Sequence, residues 1–391
     1  MQHPSPPPAG PRFALGLLPV LSLVLLGALA GCRSLPRGDD GGSPYRLIAY
    51  VTGRADLARI DAAKLTHVNY AFGHVSDSGT VYFRNPETPA HLAQLQSLKA
   101  RNPRLKLLLS IGGWGADGFS DAALTDAARA RFARSAADVL RRYALDGIDM
   151  DWEYPGQPGP GIKFRPEDRR NFTLMLQALR EHLDALSDAH RRTGSDRYLL
   201  TIASAGSKAY FDHTEMDRLH AYLDFINVMT YDLYGSYSDS TGHHTGLYPS
   251  GFPGAQTISA DADIARHLAA GIPPEKLVVG AAFYGKSWKG VRPEHNGRNQ
   301  PYEQYGRTYA YSELARDFID RQGFVRYWDE TARAPYLWHA DSAMFVSYDD
   351  PASLAEKARY VRRHRLGGVM YWEHSHDPDE VLLDALYRNL R

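Results

Sequence analysis

The chain has 391 residues, with 45 Lys and Arg balanced by 45 Asp and Glu, so its formal net charge is zero. Apolar residues make up 43% of it, which excludes intrinsic disorder. The balanced charge gives a polyanion such as nucleic acid no reason to bind. A single cysteine, Cys32, excludes a disulfide within the chain. Aromatic residues reach 11%, enough to fill a core and to leave rings for stacking on flat ligands such as sugars.

In chain order, Phe13 to Ala30 is an apolar run behind Arg12, interrupted by Pro19, in the manner of a signal peptide. It ends Leu29-Ala30-Gly31-Cys32, which resembles the lipobox of bacterial lipoproteins. That resemblance makes residues 1–31 a removable leader, Cys32 the lipidated first residue and the Gly/Pro/Ser-rich 32–44 a flexible linker. It implies export and a membrane partner reached through Cys32. Arg33 after the cysteine fits outer-membrane sorting, and an extracellular location is the other expected destination. An uncleaved transmembrane anchor is the competing reading, because the run is just long enough to span a bilayer.

Beyond the linker, apolar segments rich in strand formers alternate with helical ones. Eight strands are expected: Arg46–Thr52, His67–Val75, Lys106–Ile111, Gly147–Glu153, Tyr198–Ser204, Phe225–Tyr231, Leu277–Phe283 and Gly367–Trp372. The clearest helices are Thr125–Tyr143, with Thr125 as N-cap, and Asn171–Leu186, entered through Arg165-Pro166-Glu167-Asp168. Strand–helix alternation over this length predicts an α/β fold, a (β/α)8 TIM barrel. The seventh and eighth strands are too far apart for one helix. The excess predicts a small α+β insertion at 289–345, with a helix at Ser312–Gln322 and a strand at Gly323–Trp328, leaving 45–288 and 346–391 as the barrel.

The segment Asp146-Gly147-Ile148-Asp149-Met150-Asp151-Trp152-Glu153-Tyr154-Pro155 carries the chemistry. On a strand, Asp149, Asp151 and Glu153 share one face, about 6–7 Å apart, and Ile148, Met150 and Trp152 share the other. Packing the apolar face on helices leaves three carboxylates lining the barrel interior. Crowded, desolvated acids raise one another's pKa, which keeps one protonated near neutral pH. Glu153 lies nearest the strand's C-terminal end, where barrel active sites sit, and is the candidate general acid. A solvated acidic edge strand or a Mg²⁺ or Ca²⁺ site would use the same residues. Asp146 has the opposite parity and is expected to be structural.

D-x-x-D-x-D-W-E-Y-P resembles the signature of family-18 glycoside hydrolases, the chitinase family. Other stretches resemble the family's motifs in the same order: Tyr70-Ala71-Phe72, Ser110-Ile111-Gly112-Gly113-Trp114, Met229-Thr230-Tyr231-Asp232, Tyr284-Gly285 with Trp288, and Met370-Tyr371-Trp372. The segment before Tyr348-Asp349-Asp350 resembles the family's insertion domain. The resemblance implies hydrolysis of β-1,4 bonds between N-acetylglucosamine units with retention, by substrate assistance rather than a carboxylate nucleophile. It makes Glu153 the acid and then the base. Asp151 binds the acetamido N–H, Asp149 shares a proton with Asp151, and Tyr231 holds the acetamido group. Tyr50, Phe72, Trp114, Met229, Asp232, Tyr284 and Trp372 are implied as substrate-binding residues, with Trp372 flooring the subsite of the cleaved sugar. No metal or organic cofactor is implied, and a monomer acting on chitin or its oligosaccharides is expected.

Some residues depart from the family pattern or stay open. Lys286 stands where many members have arginine and lacks its planar fork. Glu373-His374-Ser375-His376-Asp377 is expected to be a hydrogen-bonding loop rather than a Zn²⁺ site, and His243 and His244 to be structural or at the rim. Trp328 and Trp338 could serve ligand or core. The same chemistry on peptidoglycan or N-glycan core sugars, or a non-hydrolytic chitin-binding lectin, are the alternatives.

Overall fold

The computed structural model describes residues 43–252 and 257–391. The apolar run, Cys32 and most of the expected linker lie outside those residues. Fourteen strands follow in order: β1 (Arg46–Thr52), β2 (His67–Val75), β3 (Val81–Tyr82), β4 (Lys106–Gly112), β5 (Gly147–Asp151), β6 (Leu199–Ser204), β7 (Phe225–Val228), β8 (Leu277–Ala282), β9 (Tyr284–Lys289), β10 (Gln304–Ala310), β11 (Val325–Asp329), β12 (Ala334–His339), β13 (Met344–Tyr348) and β14 (Gly368–Trp372).

Eight of them pair in parallel in the order β1-β14-β8-β7-β6-β5-β4-β2, and pairing of β1 with β2 closes the ring. This is the closed (β/α)8 barrel that the alternation predicts. Strands covered on both faces read as near-continuous apolar runs, and β5 and β8 are buried along their whole length. The outward face of the acidic strand packs as its parity requires. Trp152 stacks on Phe119 at 5.4 Å and meets Phe172 edge-on at 5.5 Å.

The helices begin where their local chemistry satisfies free backbone donors. Asp126–Arg142 is capped by Thr125, whose hydroxyl accepts from the Ala128 amide at 3.2 Å, a contact worth about 1 kcal/mol. Phe132, Ala133, Ala136 and Leu140 form its buried stripe. The next helix runs Asp168–Ala189, one turn earlier than expected. The Asp168 carboxylate accepts from Ser120 Oγ at 2.8 Å and the Arg165 amide at 2.7 Å, which fixes that first turn.

Strands β9 to β13 form a separate antiparallel sheet in the order β10-β9-β13-β12-β11, with one helix at Tyr311–Asp317. That helix is shorter than Ser312–Gln322 because Asp320 and Gln322 take left-handed φ values of 54° and 49° and turn the chain back. Trp288, Tyr336, Trp338 and Phe345 form its own apolar core, so Trp338 serves packing. The sheet starts at Tyr284 and ends at Tyr348, so β9 follows directly on β8 and β13 leads straight back to the barrel. At that junction Lys357 Nζ lies 2.5 Å from both Asp349 Oδ2 and Thr245 Oγ1, and Asp349 also accepts from the Ala282 amide at 3.1 Å and Ser353 Oγ at 2.7 Å. The pair is fully buried, and its remaining polar atoms are satisfied, as a buried ion pair requires.

Candidate active site

The site is built where the C-terminal ends of β2, β4, β5, β7, β8 and β14 converge. Asp149 lies deepest, wholly buried. Sheet register places Ser110 of β4 and Thr201 of β6 directly beside it. Ser110 Oγ donates to Asp149 Oδ2 at 2.8 Å and Thr201 Oγ1 to Oδ1 at 2.5 Å. Across the barrel, the Tyr50 hydroxyl donates to Oδ2 at 2.8 Å and Asn227 Nδ2 to Oδ1 at 3.1 Å. Burial pushes the Asp149 carboxyl up while these four donors pull it down. Among its described hydrogen bonds none goes to Asp151.

Asp151 sits one residue pair higher, 4% exposed, and its Oδ1 is buried without a partner. Burial, then the charges of Glu153 and Asp149, push its carboxyl well above the ordinary range. Glu153 follows just beyond the end of β5, part-buried. Burial raises its carboxyl to about 7; a hydrogen bond from Tyr154 opposes this and the charge of Asp232 adds to it. Three neighbouring carboxyls therefore differ by environment: one saturated with donors, one unsatisfied, one poised near neutrality at the open end.

The two glycines after Ser110 exist for this packing. Gly112 and Gly113 take φ of 127° and 92°, a region that favours glycine. A Cβ on Gly112 would lie 1.9 Å from the Asp151 carbonyl oxygen, and one on Gly113 would lie 2.7 Å from the Phe72 ring. The peptide bonds Ala71–Phe72, Glu153–Tyr154 and Trp372–Glu373 are cis.

Around the acids, Phe72 stacks on Trp372 with centroids 5.6 Å apart, and Tyr50 lies 5.8 Å from the same indole. Met229 and Tyr231 join Tyr50 and Trp372 in one cluster. The Tyr231 hydroxyl has only a 3.8 Å contact to Met370 Sδ. Tyr284 donates to Asp232 Oδ1 at 2.6 Å, and Lys286 Nζ meets the same oxygen at 2.7 Å. The structure thus gathers nine of the eleven named residues around one cleft, Trp114 and Tyr50 being the other two. Trp114 stands apart at its rim, 67% exposed, 6.2 Å from the Tyr154 ring. Tyr50 is inside the barrel rather than lining the cleft, its hydroxyl committed to Asp149.

Several participants escape a reading by motif. Asn227 is the lone polar residue of the apolar strand FINV, and Thr201 interrupts the apolar run of LLTIAS at its centre, a signal that could have found them. Tyr237 is 66% exposed beside the cleft and its hydroxyl donates to the Asp232 carbonyl. His244 is fully buried, with Nδ1 3.7 Å from Asp232 Oδ1. Burial raises the Asp232 carboxyl, but the hydrogen bonds and charges of His244 and Lys286 outweigh it and hold the carboxyl well below the ordinary range. His243 instead bonds Asp329 of the insertion at 3.1 Å.

In the 373–377 loop, Glu373 accepts from the Ser375 amide at 3.1 Å and Thr52 Oγ1 at 3.4 Å, and His374 Nδ1 lies 3.0 Å from the Tyr371 hydroxyl. Among the described residues no group of three or more His, Cys, Asp and Glu is placed to hold a metal ion. Asp146 lies at the other end of β5, bonded to Lys99 at 2.6 Å and the Leu107 amide at 2.8 Å.

Comparison with known proteins bears on this geometry. The model of glycosyl hydrolases family 18 matches residues 46–377. Chitinase A1 of Niallia circulans is 34% identical over 97% of this chain, which spans 62% of that relative's length. Chitinase B of Serratia marcescens is 30% identical over 83% of this chain and 75% of its own. Among solved structures, a family 18 N-acetylglucosaminidase from Paenibacillus barengoltzii superposes with a TM-score of 0.82 at 44% identity, covering 88% of this chain and 99% of that one. The cell-surface-expressed, multi-modular chitinase ChiW of a Paenibacillus species gives a TM-score of 0.83 at 42% identity, covering 88% of this chain and 42% of that one.

Proposed function

The chain belongs to family 18 of the glycosyl hydrolases, and from that premise we propose that it is a chitinase, cleaving β-1,4 bonds between N-acetylglucosamine units with retention by substrate assistance. The observation that carries this is Glu153, raised by burial to about 7, at the mouth of a cleft in which Asp149 is satisfied by four donors and Asp151 keeps one buried oxygen without a partner. Glu153 protonates the leaving oxygen and then activates water. No second carboxylate need attack, because the substrate's own acetamido oxygen closes on the anomeric carbon to form an oxazolinium ion.

Asp151 presents its unpartnered Oδ1 to the acetamido N–H and stabilises positive charge on the ring. Tyr231, whose hydroxyl has no strong partner, holds the acetamido carbonyl for attack. Asp149 keeps Asp151 in a low-dielectric, negatively charged surrounding that favours a shared proton. Trp372, with Phe72 and Met229, floors the subsite of the cleaved sugar. Asp232 and Tyr284 bind hydroxyls on its far wall, and Trp114 and Tyr237 extend the path for longer chains. The protein works as a monomer without a cofactor, exported and anchored through lipidated Cys32.

Product analysis tests this. The acetylated hexamer of N-acetylglucosamine should be cleaved with β-anomer products, and its fully deacetylated counterpart should not be. Glu153→Gln should lower kcat by about 10²–10⁴ while leaving hexamer binding intact. Full activity of that variant, or cleavage of the deacetylated chain, sinks the assignment. The likeness to an N-acetylglucosaminidase makes release of single sugars from a chain end the second reading, and the same product ladder separates it from internal cleavage.

A further inference from the structure

The eight connections that enter the barrel strands lie at the end opposite the cleft, and they are rich in arginine. Arg101, Arg142, Arg191, Arg362, Arg363 and Arg365 are all exposed there. None of the six belongs to a side-chain ion pair among the described residues. Several acids of the same rim are engaged, Asp146 by Lys99 at 2.6 Å, Asp196 by Lys106 at 3.0 Å and Asp224 by Arg180 at 3.2 Å, and the exposed Glu275 lies near Arg46 and Lys276. Hydrogen bonds tie the connections into one surface. Arg46 Nη1 reaches the Glu275 carbonyl at 3.1 Å, Arg362 Nη1 the Arg391 carbonyl at 3.1 Å, and Arg192 Nη1 meets Asp146 at 3.4 Å. In a chain of zero net charge, this polarises the molecule, with a basic base and the acids Asp151, Glu153 and Asp232 at the opposite mouth.

The same face receives the N-terminal segment. Ser43, the first described residue, donates its hydroxyl to the Leu390 carbonyl at 2.7 Å, and β1 starts three residues later. An anchor at Cys32, eleven residues before Ser43 in the sequence, would tether the barrel on the side where β1 enters. Seating on the headgroups would bring the arginines within the Debye length of about 8 Å over which they attract lipid phosphates.

We propose that this arginine rim is a docking surface for the phosphate headgroups of an anionic lipid bilayer, which seats the barrel on its base and turns the cleft away from the membrane. The inference rests on the lipidated Cys32 reading for its tether and on charge complementarity for its partner. Clustered arginines near an anionic surface add favourable energy that falls away within a Debye length.

The test uses the full-length lipidated protein with vesicles of phosphatidylcholine alone or with one third phosphatidylglycerol. Lipidation consumes the only native thiol, so Thr193→Cys on the basic rim and Ser236→Cys at the cleft, both exposed, accept a fluorophore selectively. Headgroup nitroxide lipids act as quencher. On phosphatidylglycerol vesicles the label at position 193 should be quenched about threefold or more relative to that at 236, and roughly 1 M salt should remove the difference. Arg362→Glu with Arg363→Glu and Arg365→Glu should abolish the difference while hexamer hydrolysis stays at the wild-type rate. Arg101→Gln with Arg191→Gln, in two other connections, should halve it.

Flotation separates the two readings. Protein that floats with both vesicle types but shows equal quenching at the two positions keeps the anchor and overturns the docking face. Protein that floats only with phosphatidylglycerol vesicles at low salt supports the face and overturns the anchor. Protein that floats with neither overturns both.

Discussion

At the scale of single residues, the proposed chemistry ties the working pH to Glu153 and Asp232. The acid must hold its proton to protonate a leaving oxygen, and burial raises its carboxyl to about 7. Activity should therefore fall on the alkaline side, about tenfold per pH unit well above that value. Lys286 lies 2.7 Å from Asp232 and offsets its charge. Lys286→Met leaves that negative charge less compensated, so ionising Glu153 becomes harder. The alkaline limb of kcat/KM should then move to higher pH, by up to about one unit. A limb that stays in place, or moves down, would remove Lys286 from the electrostatics of the acid. His244→Asn should act in the same direction but more weakly, since its Nδ1 is 3.7 Å away and burial lowers the ring's pKa.

At the scale of elements, the insertion is fastened to the barrel by the Lys357–Asp349 pair. Lys357 is fully buried, so Lys357→Ala would strand the Asp349 carboxylate against Thr245 and Ser353. Loss of one partner of such a pair costs about 3–5 kcal/mol, readable as a lower urea midpoint. Lys357→Met paired with Asp349→Asn should recover most of that loss. The Gly112-Gly113 turn belongs to this scale too. Gly113→Ala sets a methyl against Phe72 at a φ of 92°, which should cost about 1–3 kcal/mol. It should also disturb the Phe72–Trp372 stack, seen as a higher KM for short oligosaccharides.

At the scale of the whole molecule, the barrel puts chemistry at one end and positive charge at the other. In the proposed function the exposed aromatic rim sets the cleft's reach. Trp114 makes little protein contact, being 67% exposed, so Trp114→Ala should leave stability unchanged. It should raise KM for the hexamer by roughly five- to tenfold, equivalent to about 1–1.4 kcal/mol, with little effect on a trimer that does not reach the rim. Equal effects on both lengths would place Trp114 off the path of the chain.

The sequence by itself determined what depends on local pattern. Alternation of apolar strands with helices specified the barrel, because a parallel strand needs a crossover and each apolar face needs cover. Period-two parity put Asp149 and Asp151 on the inward face and Trp152 on the helices, since a strand has no other way to place them. Tertiary structure decided what depends on register and closure. Ser110, Thr201, Tyr50 and Asn227 come from four different strands and meet at Asp149 only when the ring closes. The burial that separates the three acids likewise exists only after folding. Tyr50 could be read as facing inward, but not as bonded to an acid, because that contact crosses the barrel. The pairing of Asp232 with Lys286 joins the connection after β7, which also carries His244, to β9, more than fifty residues further on. The basic rim is likewise invisible in a net charge of zero: arginines scattered through the sequence become one surface only because the barrel brings every strand entrance to the same end.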